Sequence, residues 1–559
     1  MQPEFPVPGR EAIHPPSMTR FSEHVVRALK NGGVSHVFGI PSIHNIGLYN
    51  ALREEPSIRH VLCRHESSAT HMADGYARAG KGVGVVITST GPGAAYMTAP
   101  LIEAWGSESP VLAITTNIAA KEIGRGTGTL HEVADQDLIF KSITKGRYCV
   151  RTGTDITTML PEAIQTALSG RPGPVYCEVP TDLWDHEISR DETSVPCQAR
   201  AQGPKPWVGD MDEAARLLCK AERPIIVAGT AAVRAGIHDE IRAICEALRA
   251  PLVTGAEGKG LIPEDHELAF GNAARRGVVR ELLLSGTLAL AIGTRLRRAD
   301  YHRRGVALPR LIHVDWDDVW IHKNYPAELT IIGDIRIIAR RLAEMVASIS
   351  PDSHKRGQQV SAMGARISEE RAAVAEKCRE IAYLDALRRV LPRDGSLVID
   401  NTLLGYWAEY FYRSLMPGGL VTAKGSSIIG FSLPAAMGLK IACPERTVVA
   451  LTGDGGFFYG AQELATCRRH CIGFPVIVVN DGAYGMIDLL QRQIYGQGDF
   501  ETDLVNPDLG TFAASFGIAA DRVDTPQGLE QALRSALTSG EMRIIELATS
   551  FRENPFAAY

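Results

Sequence analysis

Short aliphatic and β-branched runs recur along the chain, separated by stretches whose apolar positions fall three or four residues apart. The runs include VGVVITS (83–89), PVLAITT (110–116), PIIVAG (224–229), LALAIG (288–293), LIHVD (311–315), TVVALTGD (447–454) and PVIVVND (475–481). They are apolar throughout, without the alternation of a half-exposed strand, and several end in Gly or Asp. Such runs suit parallel strands covered by helices on both faces. Helical patterns at 211–221 and 461–470 lie between them. The alternation predicts an α/β fold with parallel sheets.

Two polar, proline-containing stretches, 187–206 and 348–359, read as linkers. They divide the chain into three expected doubly wound parallel-sheet domains: 18–186, 207–347 (Rossmann-like) and 370–550. Residues 1–17, rich in proline and without an apolar core, are expected to form a flexible N-terminal extension and not a signal peptide. No apolar stretch reaches the roughly eighteen residues of a membrane span.

Composition narrows the function. The 559 residues carry 59 Lys+Arg against 64 Asp+Glu, a formal charge of −5, and only 6% are aromatic. That balance argues against a nucleic-acid surface. The 10 cysteines show no CxxC spacing, which fits a reducing, cytoplasmic setting. Cys467, His470 and Cys471 supply only a partial zinc set, and packing is the expectation there.

The segment TVVALTGDGGFFYGAQELATCRRHCIGFPVIVVNDGAYGM carries the strongest chemical signal. One buried run ends in Gly453-Asp454-Gly455-Gly456, a helix should follow, and the next run ends in Asn480-Asp481. Ligands bind at strand C-termini in doubly wound sheets. Glycines let backbone approach a phosphate, and a helix N-terminus offers amides to it. Asp454 and Asp481 would tip neighbouring strands and face one hard cation, Mg²⁺, that diphosphate oxygens complete.

This segment resembles the GDG…N motif of thiamine-diphosphate enzymes, and the overall order resembles the acetohydroxyacid synthase / benzoylformate decarboxylase superfamily. The resemblance implies metal ligation by Asp454, Asp481 and the Ala483 carbonyl, with Asp481 standing where the family usually has Asn. It places Tyr484, Gly485 and Met486 beside the cofactor. In the first block, Cys63-Arg64-His65-Glu66-Ser67 followed by ADGYARAGKGVGVVITSTGPGAAY is similar to the family's pyrimidine-binding pattern. It implies that Glu66 serves the aminopyrimidine ring as its catalytic acid. GSSIIGFSLPAAMG (425–438) is similar to the segment whose bulky apolar residue, here Ile429, bends the cofactor. Asn401, Thr402 and Leu403 align with a loop near it.

The implied activity is decarboxylation of a 2-oxo acid through an enamine. The alternative is carboligation to a 2-hydroxyketone, as in an acetolactate synthase. Leu490 replaces the synthase Trp, and Ser89 stands where the decarboxylase branch often has His. The stretches FGIPSIHNIGLY (38–49) and GRGTGTLHEVADQ (124–136) resemble a subgroup typified by 2-ketoarginine decarboxylase, with His44 and His131 as candidates for substrate contact or proton relay. In the family the central domain binds FAD in some branches. Here PIIVAGTAAVRAG lacks GxGxxG, and Asn272 to Arg276 replace the usual flavin segment, so FAD is possible but not favoured. The resemblance also implies a homodimer or homotetramer with active sites between subunits. A flavin oxidase and a catalytically silent paralogue are further rivals; retained Glu66 and Asp454 argue against the latter.

Overall fold

The computed structural model describes residues 18–152, 155–189, 207–272, 277–301, 306–349, 354–498 and 500–556. The expected extension (1–17), most of the first linker (190–206) and residues 273–276 lie outside the described residues.

Three six-stranded sheets organise the chain. The first runs in the spatial order 59–62, 36–39, 84–88, 111–117, 175–180, 146–149. The second runs 269–272, 252–254, 224–228, 288–292, 310–315, 329–332, and the third 420–422, 396–399, 448–453, 475–479, 543–547, 519–523. Every pairing within these sheets is parallel. The central strands, such as Val448–Gly453 and Pro475–Val479, are buried almost throughout because helices cover both faces. A short antiparallel pair, Met18–Arg20 with Glu187–Ser189, joins the two ends of the first domain.

Two expectations change. The stretch 348–359 is helical from His354 onward, as the start of the 24-residue helix His354–Lys377; residues 350–353 lie outside the described residues. The helix expected after the GDG strand is broken into a single turn, Asp454–Phe457, a 3₁₀ turn, Ala461–Glu463, and the helix Leu464–His470. Gly455 and Gly456 fall inside the first turn, where glycine weakens helix.

The outer domains meet through the crossing of helix Glu66–Arg78 with helix Ser432–Ala442. The approach needs glycine on both sides: a Cβ on Gly75 would lie 2.1 Å from the Ala435 carbonyl oxygen, and one on Gly438 would lie 1.9 Å from that of Met72. At the end of the first helix, the buried Arg78 guanidinium reaches all three domains. It pairs with Asp74 (2.7 Å) and Glu103 (3.0 Å) of the first and Glu257 (3.1 Å) of the second, and donates to the Thr422 carbonyl (2.7 Å) of the third.

Removing a buried cation from its carboxylates leaves uncompensated charge, at a cost of about 3–5 kcal/mol. Arg78→Met should therefore lower the unfolding free energy by about that amount, read as a fall in the denaturant midpoint. A loss below about 1 kcal/mol would show that the cluster does not tie the domains together.

Candidate active site

The third sheet builds a cleft of about 250 Å³ at the C-terminal ends of its strands. Strand Val448–Gly453 delivers Asp454 and the neighbouring strand Pro475–Val479 delivers Asp481; Gly453 pairs with Val479 in register. Both aspartates line the cleft, together with Gly453, Gly455 and Gly456. Ala483, Tyr484, Gly485 and Met486 form a second wall, where the helix Gly485–Tyr495 begins. Asn401, Thr402 and Leu403, after strand Ser396–Ile399, form the third, and Ile429 faces in from the loop before helix Ser432–Ala442. The motifs of the third block thus converge on one cleft.

The Asp454 carboxylate is oriented by donors on both oxygens. Oδ1 accepts from the Gly455 amide (2.9 Å); Oδ2 accepts from the Gly482 amide (3.0 Å) and from Asn506 Nδ2 (2.6 Å). Burial still raises its pKa. Burial, reinforced by the nearby Asp454 charge, pushes Asp481 up to about 6. Two neighbouring desolvated carboxylates are a donor set suited to a hard cation. Asn480 turns away from the cleft: its Nδ2 donates to Glu546 (2.9 Å) and its Oδ1 accepts from Asn506 (3.0 Å). The backbone also leaves little room for side chains here. A Cβ on Gly455 would meet the Tyr484 ring at 2.6 Å, and one on Gly485 would meet Asp481 Oδ2 at 2.6 Å.

The loop carrying Ile429 is held by the strand end beside it. Asn401 Nδ2 donates to the Ile428 carbonyl (2.8 Å), and the buried Asp400 carboxylate accepts from the amides of Asn401 (2.8 Å), Gly430 (3.0 Å) and Ser432 (3.3 Å). Burial outweighs these bonds and pushes Asp400 up to about 6.

The first sheet builds a separate cluster at its own C-terminal edge. Glu66 opens helix Glu66–Arg78, and the amides of Arg64 and His65 just before it donate to the buried Glu463 carboxylate of the third domain (3.0 and 3.1 Å). Gly93 packs against it: a Cβ there would lie 3.5 Å from Glu66 Oε1. His44 and His131 lie with ring centroids 4.9 Å apart, and His44 Nδ1 is 3.4 Å from Ser89 Oγ. Burial, then the His131 charge, lowers the His44 pKa. His131 sits at φ +67°, an uncommon conformation for a non-glycine residue. Glu66, His44 and His131 therefore share one region of the first domain. None of the three lines the cleft of the third.

Asp400, Glu463 and Asn506 carried no sequence signal of function. Asp400 and Glu463 lie inside or beside the quoted motifs but match no ligand pattern; Asn506 lies in a loop. The partial zinc set is no site. His470 Nε2 accepts from the Leu62 amide (3.0 Å), Cys467 is buried, and Cys471 is exposed, contrary to the expected packing. Among the described residues no group of three His, Cys, Asp or Glu is placed to hold a metal by itself.

Family models match all three domains. The thiamine pyrophosphate enzyme N-terminal TPP binding domain matches residues 19–139, the central domain 211–342 and the C-terminal TPP binding domain 400–547. A probable acetolactate synthase large subunit of Methanocaldococcus jannaschii is 31% identical over 544 residues, covering 94% of this chain and 91% of that protein. A probable 2-ketoarginine decarboxylase of Pseudomonas aeruginosa is 32% identical over 540 residues, covering 96% and 95%. The large subunit of acetolactate synthase isozyme 3 of Escherichia coli is 30% identical over 536 residues, covering 92% of each. With its three domains in order and a cleft at the strand tips of the last, the chain belongs to the thiamine pyrophosphate enzymes.

Proposed function

We propose that the chain is a thiamine-diphosphate- and Mg²⁺-dependent decarboxylase of a 2-oxo acid, working as a homodimer or homotetramer. One observation carries this reading: two aspartates at adjacent strand tips, Asp454 buried and Asp481 half-buried, share a glycine-walled cleft with Ile429. Asp454, Asp481 and the Ala483 carbonyl would hold the ion. Only two carboxylates are available, so diphosphate oxygens and solvent must complete its shell. The Gly453–Gly456 backbone and the walls at Asn401–Leu403 and Tyr484–Met486 would hold the diphosphate and rings. Ile429, fixed through Asp400 and Asn401, would prop the cofactor.

When bound, thiamine diphosphate supplies a carbon nucleophile for the keto group and an electron sink for the bond to carbon dioxide. Glu66 would hold or release a proton at its carboxyl toward the aminopyrimidine ring. Because Glu66 does not line its own chain's cleft, a second chain would supply it. His44 and His131 would face the substrate carboxylate or carry protons.

Flavin is not favoured in the central domain, because the stretch 224–236 lacks GxGxxG. No described helix is long and apolar enough to cross a membrane. The free cysteines of the described residues are consistent with the reducing, cytoplasmic setting proposed here.

Carboligation is the second reading, favoured by the acetolactate synthase relatives that span nearly the whole chain. A panel of 2-oxo acids, scored for carbon dioxide and for aldehyde against hydroxyketone, separates the two. The decarboxylase reading expects aldehyde as the main product; predominant hydroxyketone would overturn it.

Glu66→Gln should lower turnover by roughly 10²–10⁴-fold, the range of general acid–base contributions, with cofactor affinity retained. Near-native turnover in that variant would remove Glu66 from the acid role. Chelation with EDTA should abolish turnover, and Mg²⁺ readdition should restore it. Full activity in the metal-free protein would exclude the ion from the site.

A further inference from the structure

Gln136 opens the short helix Gln136–Ile139 and is 1% exposed. Its amide is surrounded by polar groups that dictate its orientation. Nε2 donates to the Thr116 carbonyl (2.9 Å) and the Tyr176 hydroxyl (2.9 Å), and lies 3.3 Å from the Glu178 carboxylate. A carbonyl and a carboxylate only accept, so the NH₂ end must face them. The amide oxygen then faces the other way, where it accepts from the Gly91 amide at 2.6 Å. Glu178 is itself buried; Tyr176 donates to it at 3.0 Å, and Arg151 lies 3.4 Å away at the surface.

Gly91 is the residue that needs a tether. It adopts φ +59°, ψ −108°, and a Cβ there would lie 2.4 Å from the His131 carbonyl oxygen, so only glycine fits. Its turn touches both halves of the cluster. Gly93 packs against Glu66, Ser89 approaches His44 Nδ1, and His131 closes over Gly91. A second bond, between the Thr90 and Thr116 hydroxyls (2.7 Å), fixes the preceding residue.

We propose that Gln136 is a positioning residue: its buried amide, aimed by Glu178, clamps the Gly91–Gly93 turn and so sets Glu66 against the His44–His131 pair. This deepens the functional reading above and rests on it. The clamp acts on two groups of different role. Its loss should therefore lower kcat through Glu66 and raise KM for the 2-oxo acid through the histidines. Cofactor affinity should stay unchanged, because the diphosphate cleft lies in another domain.

The competing role for Gln136 is to satisfy Glu178 and Tyr176 in the core, and it is separable. Gln136→Met removes the clamp and one donor to Glu178. Gln136→Met/Glu178→Met removes the buried carboxylate as well and should recover part of the stability lost, since the Gly91 amide and Thr116 carbonyl stay without Gln136. Both variants are measured for kcat, KM, Tm and thiamine diphosphate affinity by fluorescence titration, with Glu66→Gln alongside.

The expected result is a kcat at least about tenfold lower with a raised KM in both variants, the scale on which misplaced groups act, while the double variant recovers part of the Tm that the single variant loses. Return of kcat and KM toward wild-type values in step with Tm would show that Gln136 serves only the core, and would overturn the proposal. If Glu66→Gln loses turnover while both Gln136 variants match wild type, this inference fails and the site reading stands. If Glu66→Gln keeps turnover, the site reading fails, and this inference with it.

Discussion

A single buried guanidinium holds the three domains in register. Arg78 faces Asp74, Glu103 and Glu257 with almost no contact with water, and its other bond goes to a carbonyl of the third domain. Each carboxylate alone would be expensive to bury, and so would the cation. Together they are tolerable only in one geometry. That geometry reaches the cleft, because Glu103 also accepts from the amides of Gly425 (2.8 Å) and Ser426 (2.6 Å). Burial opposes charge on Glu103, but Arg78 and these amides outweigh it and hold its pKa below the usual range. The loop that ends at Ile429 is thus pinned at its start by Glu103 and at its end by Asp400.

The buried acids of the third domain differ in how their oxygens are used. Asp400 is committed to backbone amides, so its work is to shape a loop. Asp454 is oriented by two amides and a side-chain amide, which fixes its rotamer without neutralising it. Asp481, half-buried, accepts local backbone bonds, feels the Arg552 charge and sits beside another carboxylate. The three acids thus run from fully engaged at the loop to less engaged at the strand tips. Sequence alone presents all three as Asp after an apolar run.

The architecture was legible where burial is two-sided. The inner strands, such as 84–88, 224–228 and 475–479, read as continuous apolar runs because both faces are covered. The edge strands Gly146–Cys149 and Ala519–Val523 are only partly covered, and their mixed composition hid them. The cleft was legible because GDG and its companion segments are local patterns. Glu463, Asn506 and Gln136 were not. Each is a single polar residue whose partner is remote in sequence, Glu463 meeting His65 across 398 positions, and only the fold brings them together. The linker expectation at 348–359 failed for a related reason: a charged, apolar-poor stretch reads as loop, yet it begins a helix whose apolar residues Val360, Met363 and Ile367 pack on the central domain.

The crossing of helices Glu66–Arg78 and Ser432–Ala442 gives these separate parts a common frame. Glu66 sits at the N-terminus of one helix, and the Ile429 loop leads directly into the N-terminus of the other. Their closest approach, at Gly75 and Gly438, brings each backbone against the carbonyl of its partner and leaves no side chain to slide or repack. Packing of this kind has one solution, in contrast to an interface of flexible apolar side chains that tolerates many. Glu66 and Ile429 are therefore mounted on one rigid unit, although Glu66 does not line the cleft that Ile429 enters. The proposed assembly, joining the first domain of one chain to the third domain of another, would then need only to place two such units correctly. The internal geometry of each half is already settled by a glycine pair and a buried arginine.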